Sequence, residues 1–125
     1  MKLWLDDVRP APAGWVWVRT AAQCIEMLRL GIVSDLSLDH DLGFDDVDKN
    51  GKAVANWLER AVVCHNFAPP VRMHCHSMNP SGKASIMCVI NRVVDMVHRN
   101  GLPVVTDPLE GYDQQDSERT EGGSE

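Results

Sequence analysis

The residues best equipped for chemistry fall into three short groups. Asp6 and Asp7 close the apolar run "KLWLDD", Asp39, His40 and Asp41 interrupt "SLDHDLG", and His76, Ser77 and Asn79 follow "PVRMHC". A buried carboxylate without a partner is costly, so acids at the end of an apolar strand are either solvated or held by a cation. Two or three carboxylates converging with water suit Mg²⁺ or Mn²⁺, which take oxygen ligands in octahedral geometry and leave positions for phosphate oxygens. His76 and His40 supply imidazoles that titrate near neutrality and can move a proton, while the hydroxyl of Ser77 and the amide of Asn79 can hold phosphate oxygens. "NPSGK" (79–83) opens a helix whose exposed N–H groups attract anions, and Lys83 adds positive charge there.

Other chemistries fit less well. "DHDLGFDDVDKNG" looks like a calcium loop, but Phe44 stands where a glycine is required and no glutamate closes it. Cys64, His65 and "HCH" (74–76) raise zinc, yet along a strand His74 and His76 face one side and Cys75 the other. His74 is expected to be a core histidine. The phosphate-loop pattern G-x-x-x-x-G-K-[ST] is absent.

Strands and helices must deliver these groups to one place. Apolar and β-branched runs predict strands over 2–7, 15–19, 34–41, 70–77 and 102–107. Between the second and third, Thr20 and Gln23 form a capping-box pattern, Ala21, Cys24, Ile25 and Leu28 repeat at helical spacing, and Gly31 stops the helix. A second helix is expected from Gly51 to Cys64 with Val54, Trp57, Leu58, Ala61 and Val62 inward. A third, from Ser81 to Asn100-Gly101, buries Ile86, Val89, Ile90, Val93 and Val97. Cys24 and Cys88 are expected on apolar helix faces as reduced thiols.

This alternation predicts an α/β three-layer sandwich with a mostly parallel five-stranded sheet, helices on both faces, and ligands bound beyond the carboxyl ends of the strands. All three polar groups lie at such ends. The expected domain is 1–106, followed by an acidic disordered tail over 107–125. The formal charge of -6 comes from that tail, where Arg119 stands alone among acidic residues; the body is balanced. It therefore lacks an extended nucleic-acid surface, although one strand end could still be contacted. No apolar run is long enough to span a bilayer, and "MKLWLDD" meets two acids too early for a signal peptide, so no membrane partner and a cytoplasmic location are expected.

"LWLDD", "GWVWVRTAAQCIEML" and "DLSLDHDLG" resemble the first three strand regions of response-regulator receivers, with Asp39 at the position of the phospho-accepting aspartate. More closely, "LDDVRPAP", "LDHDLG" and "HSMNPSG" together resemble the cyclic-phosphate processing receiver-like family over about residues 1–106. The resemblance implies a receiver or flavodoxin-like fold that processes or binds cyclic phosphate ends in RNA repair or nucleotide metabolism. The first helix of a receiver is replaced here by "VRPAPAG", and Asp107 stands where receivers carry a lysine, which would repel an aspartyl phosphate.

The implied activity is metal-dependent hydrolysis of a cyclic phosphate, from a nucleotide or a 2′,3′-cyclic RNA end, by a phosphoesterase. Asp6, Asp7 and Asp39 would hold Mg²⁺ or Mn²⁺, Asp41 would add its main-chain carbonyl as in receivers, and Asp39 is either ligand or nucleophile. His76 or His40 would move protons; Arg9 and Lys83 would supply the charge missing at Asp107, beside Ser77 and Asn79. The alternatives are a non-catalytic phosphate-ligand module and a signalling receiver.

Overall fold

The structure is a computed structural model and describes residues 1–41 and 50–99. The chain runs β1 (Lys2–Leu5), β2 (Val16–Val18), α1 (Ala21–Arg29), β3 (Asp35–Leu38), α2 (Gly51–His65), β4 (Arg72–Cys75) and α3 (Pro80–Arg99). The four strands form one parallel sheet in the order β2-β1-β3-β4, with Leu3 beside Leu36 and Leu36 beside Met73. The expected strand over 102–107 and the tail over 107–125 lie outside the described residues, as does most of the polar loop after Asp41.

Local signals end the helices where the side chains dictate. Thr20 Oγ1 accepts from Gln23 N–H at 3.1 Å and Gln23 Oε1 accepts from Arg19 N–H at 3.0 Å, so the first turn of α1 is capped from both directions. Gly31, at φ 74°, takes the left-handed turn that stops it. Asn50 caps α2 by accepting from Ala53 N–H at 3.2 Å, and Asn66 closes it at φ 56°.

Among the described residues the helices take one side of the sheet rather than both. Alternation along the strands puts Leu3, Leu5, Leu36, Leu38, Met73 and Cys75 on one face, and these join Cys24, Leu28, Val54, Leu58, Ile86, Val89, Ile90, Val93 and Val97 in a single core. All three described helices therefore cover that face. Each crossover from β2 onward steps the same way along the sheet, and right-handed connections stepping one way land on one side. Only β1 to β2 steps backward, and its connection, residues 6–15, contains no helix. Trp15 from this connection instead sits edge-on to Trp4 at 5.9 Å and 6.4 Å from His74, on the face opposite the helices. Trp4, Ser37 and His74 share that face and are all buried. His74 is thus a core histidine, as expected.

Two expected core positions shift. Cys88 is exposed, with Arg92 donating to its Sγ at 3.5 Å, while Cys24 is fully buried. One helical turn separates Cys88 from Arg92, so the thiol shares the outward face of the guanidinium. Trp57 is half-buried at the edge of the core, where it meets Phe67.

Gly51, the first residue of α2, lies directly against the main-chain carbonyl of Asp39, where a Cβ would overlap backbone. Gly51→Ala is expected to lower stability by about 2–4 kcal/mol, since backbone rather than a side chain must yield. Urea unfolding measures this; a loss below about 0.5 kcal/mol would mean that the contact relaxes freely.

Candidate metal and phosphate site

Asp6 follows β1 and is held by more contacts than any other acid among the described residues. Its Oδ1 accepts from the N–H groups of Val8 and Arg9 at 2.9 and 2.8 Å, and its Oδ2 lies 3.0 Å from His76 Nε2. Trp17 Nε1 donates to the Asp6 carbonyl at 2.7 Å, and Asp6 N–H donates to Val18 at 3.1 Å. The "DDVRP" turn therefore folds around one carboxylate, and β2 clamps it from the side. Burial opposes the charge of Asp6, but the His76 contact and the two backbone donors outweigh it and hold the pKa below the ordinary carboxylate range. Of about four acceptor positions on a carboxylate, these contacts occupy three, leaving one on Oδ2.

His76 lies just past β4, across β3 from Asp6. Its ring stacks on Trp4 at 3.7 Å with an interplanar angle of 7°, and its Nδ1 lies 2.7 Å from Ser37 Oγ. The side chain is only 1 % exposed, and both ring nitrogens are engaged within the protein. In this setting the His76 ring holds the Asp6 carboxylate in place. Its partners Trp4 and Ser37 escape sequence reasoning. A polar Ser37 in an apolar strand, in register with Trp4 and His74, was the available signal.

Asp7 and Asp39 join Asp6 so that one carboxylate oxygen from each lies within 4.8 Å of the others. β1 and β3 are neighbours, and Asp39 N–H donates to the Leu5 carbonyl at 3.0 Å, which brings Asp39 level with Asp6. Burial first, then the charge of Asp6, pushes the Asp39 pKa up to about 6. Arg9 lies beside the triad, with its Nε 3.9 Å from Asp6 Oδ2 and its Nη1 donating to the His76 carbonyl at 3.4 Å. This oxygen-only donor set fits a hard divalent ion. Asp6, Asp7 and Asp39 are the residues that would hold such an ion, which would supply a positive centre for phosphate oxygens.

A second cluster adjoins the first through the sequence Asp39-His40-Asp41. His40 Nδ1 lies 2.8 Å from Asp41 Oδ1, and this contact lowers the Asp41 pKa. Asn79 reaches the other oxygen of Asp41 at 3.4 Å. The His40 ring rests on the first turn of α3, where a Cβ on Gly82 would come within 2.5 Å of it. The side chain of His40 is 21 % exposed, so it can meet a ligand where His76 cannot.

The remaining expected ligand-binding residues hold the loop. Ser77 Oγ accepts from Asn79 N–H at 3.1 Å, and Asn79 Oδ1 accepts from Gly82 N–H at 3.0 Å and from Ser81 Oγ at 3.1 Å. Their hydrogen-bonding capacity goes largely to capping α3. Lys83 is half-buried, near enough to Cys75 to lower its thiol pKa against the larger effect of burial. Among the described residues, Asp6, Asp7 and Asp39 form the group suited to a metal; Cys64 and His65 are exposed at the far end of α2 and do not join His74 or Cys75.

Charge repulsion in the triad has a measurable sign. Between 3.8 and about 6 the folded chain retains a proton on Asp39 that the unfolded chain has released. Stability of the metal-free protein should therefore fall as pH rises through that window, and Asp39→Asn should abolish the fall. After allowance for solvent screening, the variant should gain about 1 kcal/mol above pH 6. Asp6→Asn should lose stability, because Val8, Arg9 and His76 all direct donors at its carboxylate. Thermal unfolding across pH 4–8 checks both; a destabilised Asp39→Asn would contradict the repulsion.

Comparison with known proteins adds one finding. No curated protein and no solved structure matches the chain. A family model described as the cyclic-phosphate processing receiver domain matches residues 1–92, which include all of β1 to β4, the acid triad, His40 and His76. The chain therefore belongs to the cyclic-phosphate processing receiver domain family.

Proposed function

We propose that the protein is a metal-dependent phosphoesterase that opens a cyclic phosphate derived from a nucleotide or an RNA end. The convergence of Asp6, Asp7 and Asp39 to within 4.8 Å carries this reading. Together they would hold Mg²⁺ or Mn²⁺, with the Asp41 carbonyl as a further ligand. Such an ion would offset phosphate charge and lower the pKa of an attacking water.

The chain's own groups account for the other requirements. Arg9, half-buried beside the triad, is placed to receive a phosphate oxygen, and Lys83 adds charge from α3. The water oxygen forms a new bond to phosphorus while one ester P–O bond of the ring breaks, and the departing sugar oxygen needs a proton. His40 is the group to supply it: Asp41 fixes its Nδ1, which leaves Nε2 for exchange with the ligand. His76 acts one step back, as a positioning residue that fixes Asp6.

A non-catalytic phosphate-binding module is the second reading, favoured by the burial of His76 and by the use of Ser77 and Asn79 in capping. Incubation with 2′,3′-cyclic AMP and 3′,5′-cyclic AMP in Mn²⁺ separates the two. Turnover to a monophosphate, reduced about 100-fold or more in His40→Gln and abolished in Asp39→Asn, is the expected result. Saturable binding without turnover would select the module. A relay role requires a covalent adduct of about 80 Da on Asp39 after acetyl phosphate, and intact-mass spectrometry is expected to find none.

A further inference from the structure

Arginine side chains stand at the end of the sheet remote from the acid triad. In this parallel arrangement α1 and α2 begin near the carboxyl ends of the strands and finish near the amino ends, so Arg29 and His65, their last residues, come to the same end of the molecule. There a cavity of about 510 Å³ opens between the two helices, lined by Arg29, Trp57, Arg60, Ala61, His65 and Phe67. Its size falls in the ordinary range for small-ligand sites, and no carboxylate lines it among the described residues.

Each component points the same way. Trp57, Arg60 and Ala61 occupy one face of α2 at i, i+3 and i+4, and Trp57 meets Phe67 edge-to-face at 5.6 Å, giving a half-buried aromatic wall. Arg9, Arg19, Arg72 and Arg92 all have protein partners: the Asp6 carboxylate, the Asp7 carbonyl, Asp35 and Glu59. Arg29 and Arg60, like Arg99 at the end of α3, make no hydrogen bond or ion pair with the described residues. The blander account, that basic residues favour helix C-termini, covers Arg29 and His65 but neither Arg60, a full turn earlier, nor the aromatic wall.

We infer that this cavity is a second ligand site, for a planar aromatic ring bearing a phosphate, as in a nucleoside monophosphate. The ring would lie against Trp57 and Phe67, and the phosphate would bridge the guanidinium forks of Arg29 and Arg60, with His65 at the margin. The site uses no metal and does not depend on the triad doing chemistry.

The test is titration of the full chain with AMP and UMP in EDTA, read by calorimetry and by the indole N–H resonance of Trp57, assigned with Trp57→Phe. Saturable binding is expected, with adenosine and inorganic phosphate each weaker by about tenfold or more, and a similar loss in R29Q/R60Q. Both arginines are exposed, and unchanged indole resonances of Trp4 and Trp17 would verify that the variant is folded. Asp39→Asn should bind AMP as the parent does. Undiminished affinity in R29Q/R60Q, equal affinity for adenosine, loss of binding in Asp39→Asn, or no saturation by about 1 mM would each overturn the assignment.

Discussion

The contact between His76 and Asp6 is the joint on which the candidate site turns. It links the end of β4 to the end of β1 across the intervening β3, which contributes Ser37 to the other side of the same ring. Stacking on Trp4 sets the plane of the imidazole, so its two nitrogens point along the line from Ser37 to Asp6. A carboxylate held this way need not be ordered by a ligand. Much of the entropy cost of assembling the site has been met during folding.

Asp6 and Asp39 illustrate how one environment separates two like groups. Backbone donors and His76 stabilise the charge on Asp6, and that charge, added to burial, disfavours ionisation of Asp39. The metal-free site therefore stores repulsion that a divalent cation would relieve. Such local conflict is characteristic of functional sites, where stability is given up to keep a geometry ready.

The one-sided placement of α1, α2 and α3 has consequences at both ends of the sheet. Because every described helix runs antiparallel to the strands on the same face, helix N-termini gather at the acid-bearing end and helix C-termini at the other. The far face, relieved of a helix between β1 and β2, is covered in part by Trp15 on Trp4 and His74. That same helix-free connection frees residues 6–9 to wrap around the Asp6 carboxylate, which a continuing helix would not allow.

The order of elements, the cap of α1, the inward residues of α3 and the membership of the acids in one strand-end rim were legible from the chain, because periodicity, caps and apolar runs are local properties. So was the family. Tertiary structure alone decided the rest. Whether helices occupy one face or both depends on the direction of each step along the sheet, a property of strand order that no local pattern encodes. The surroundings of the two histidines were equally hidden: His76 and His40 are the same residue type at similar strand ends, but one is enclosed by Trp4, Ser37 and Asp6, and the other lies open on Gly82. Burial and partners set the two apart, and both arise from segments far apart in the chain.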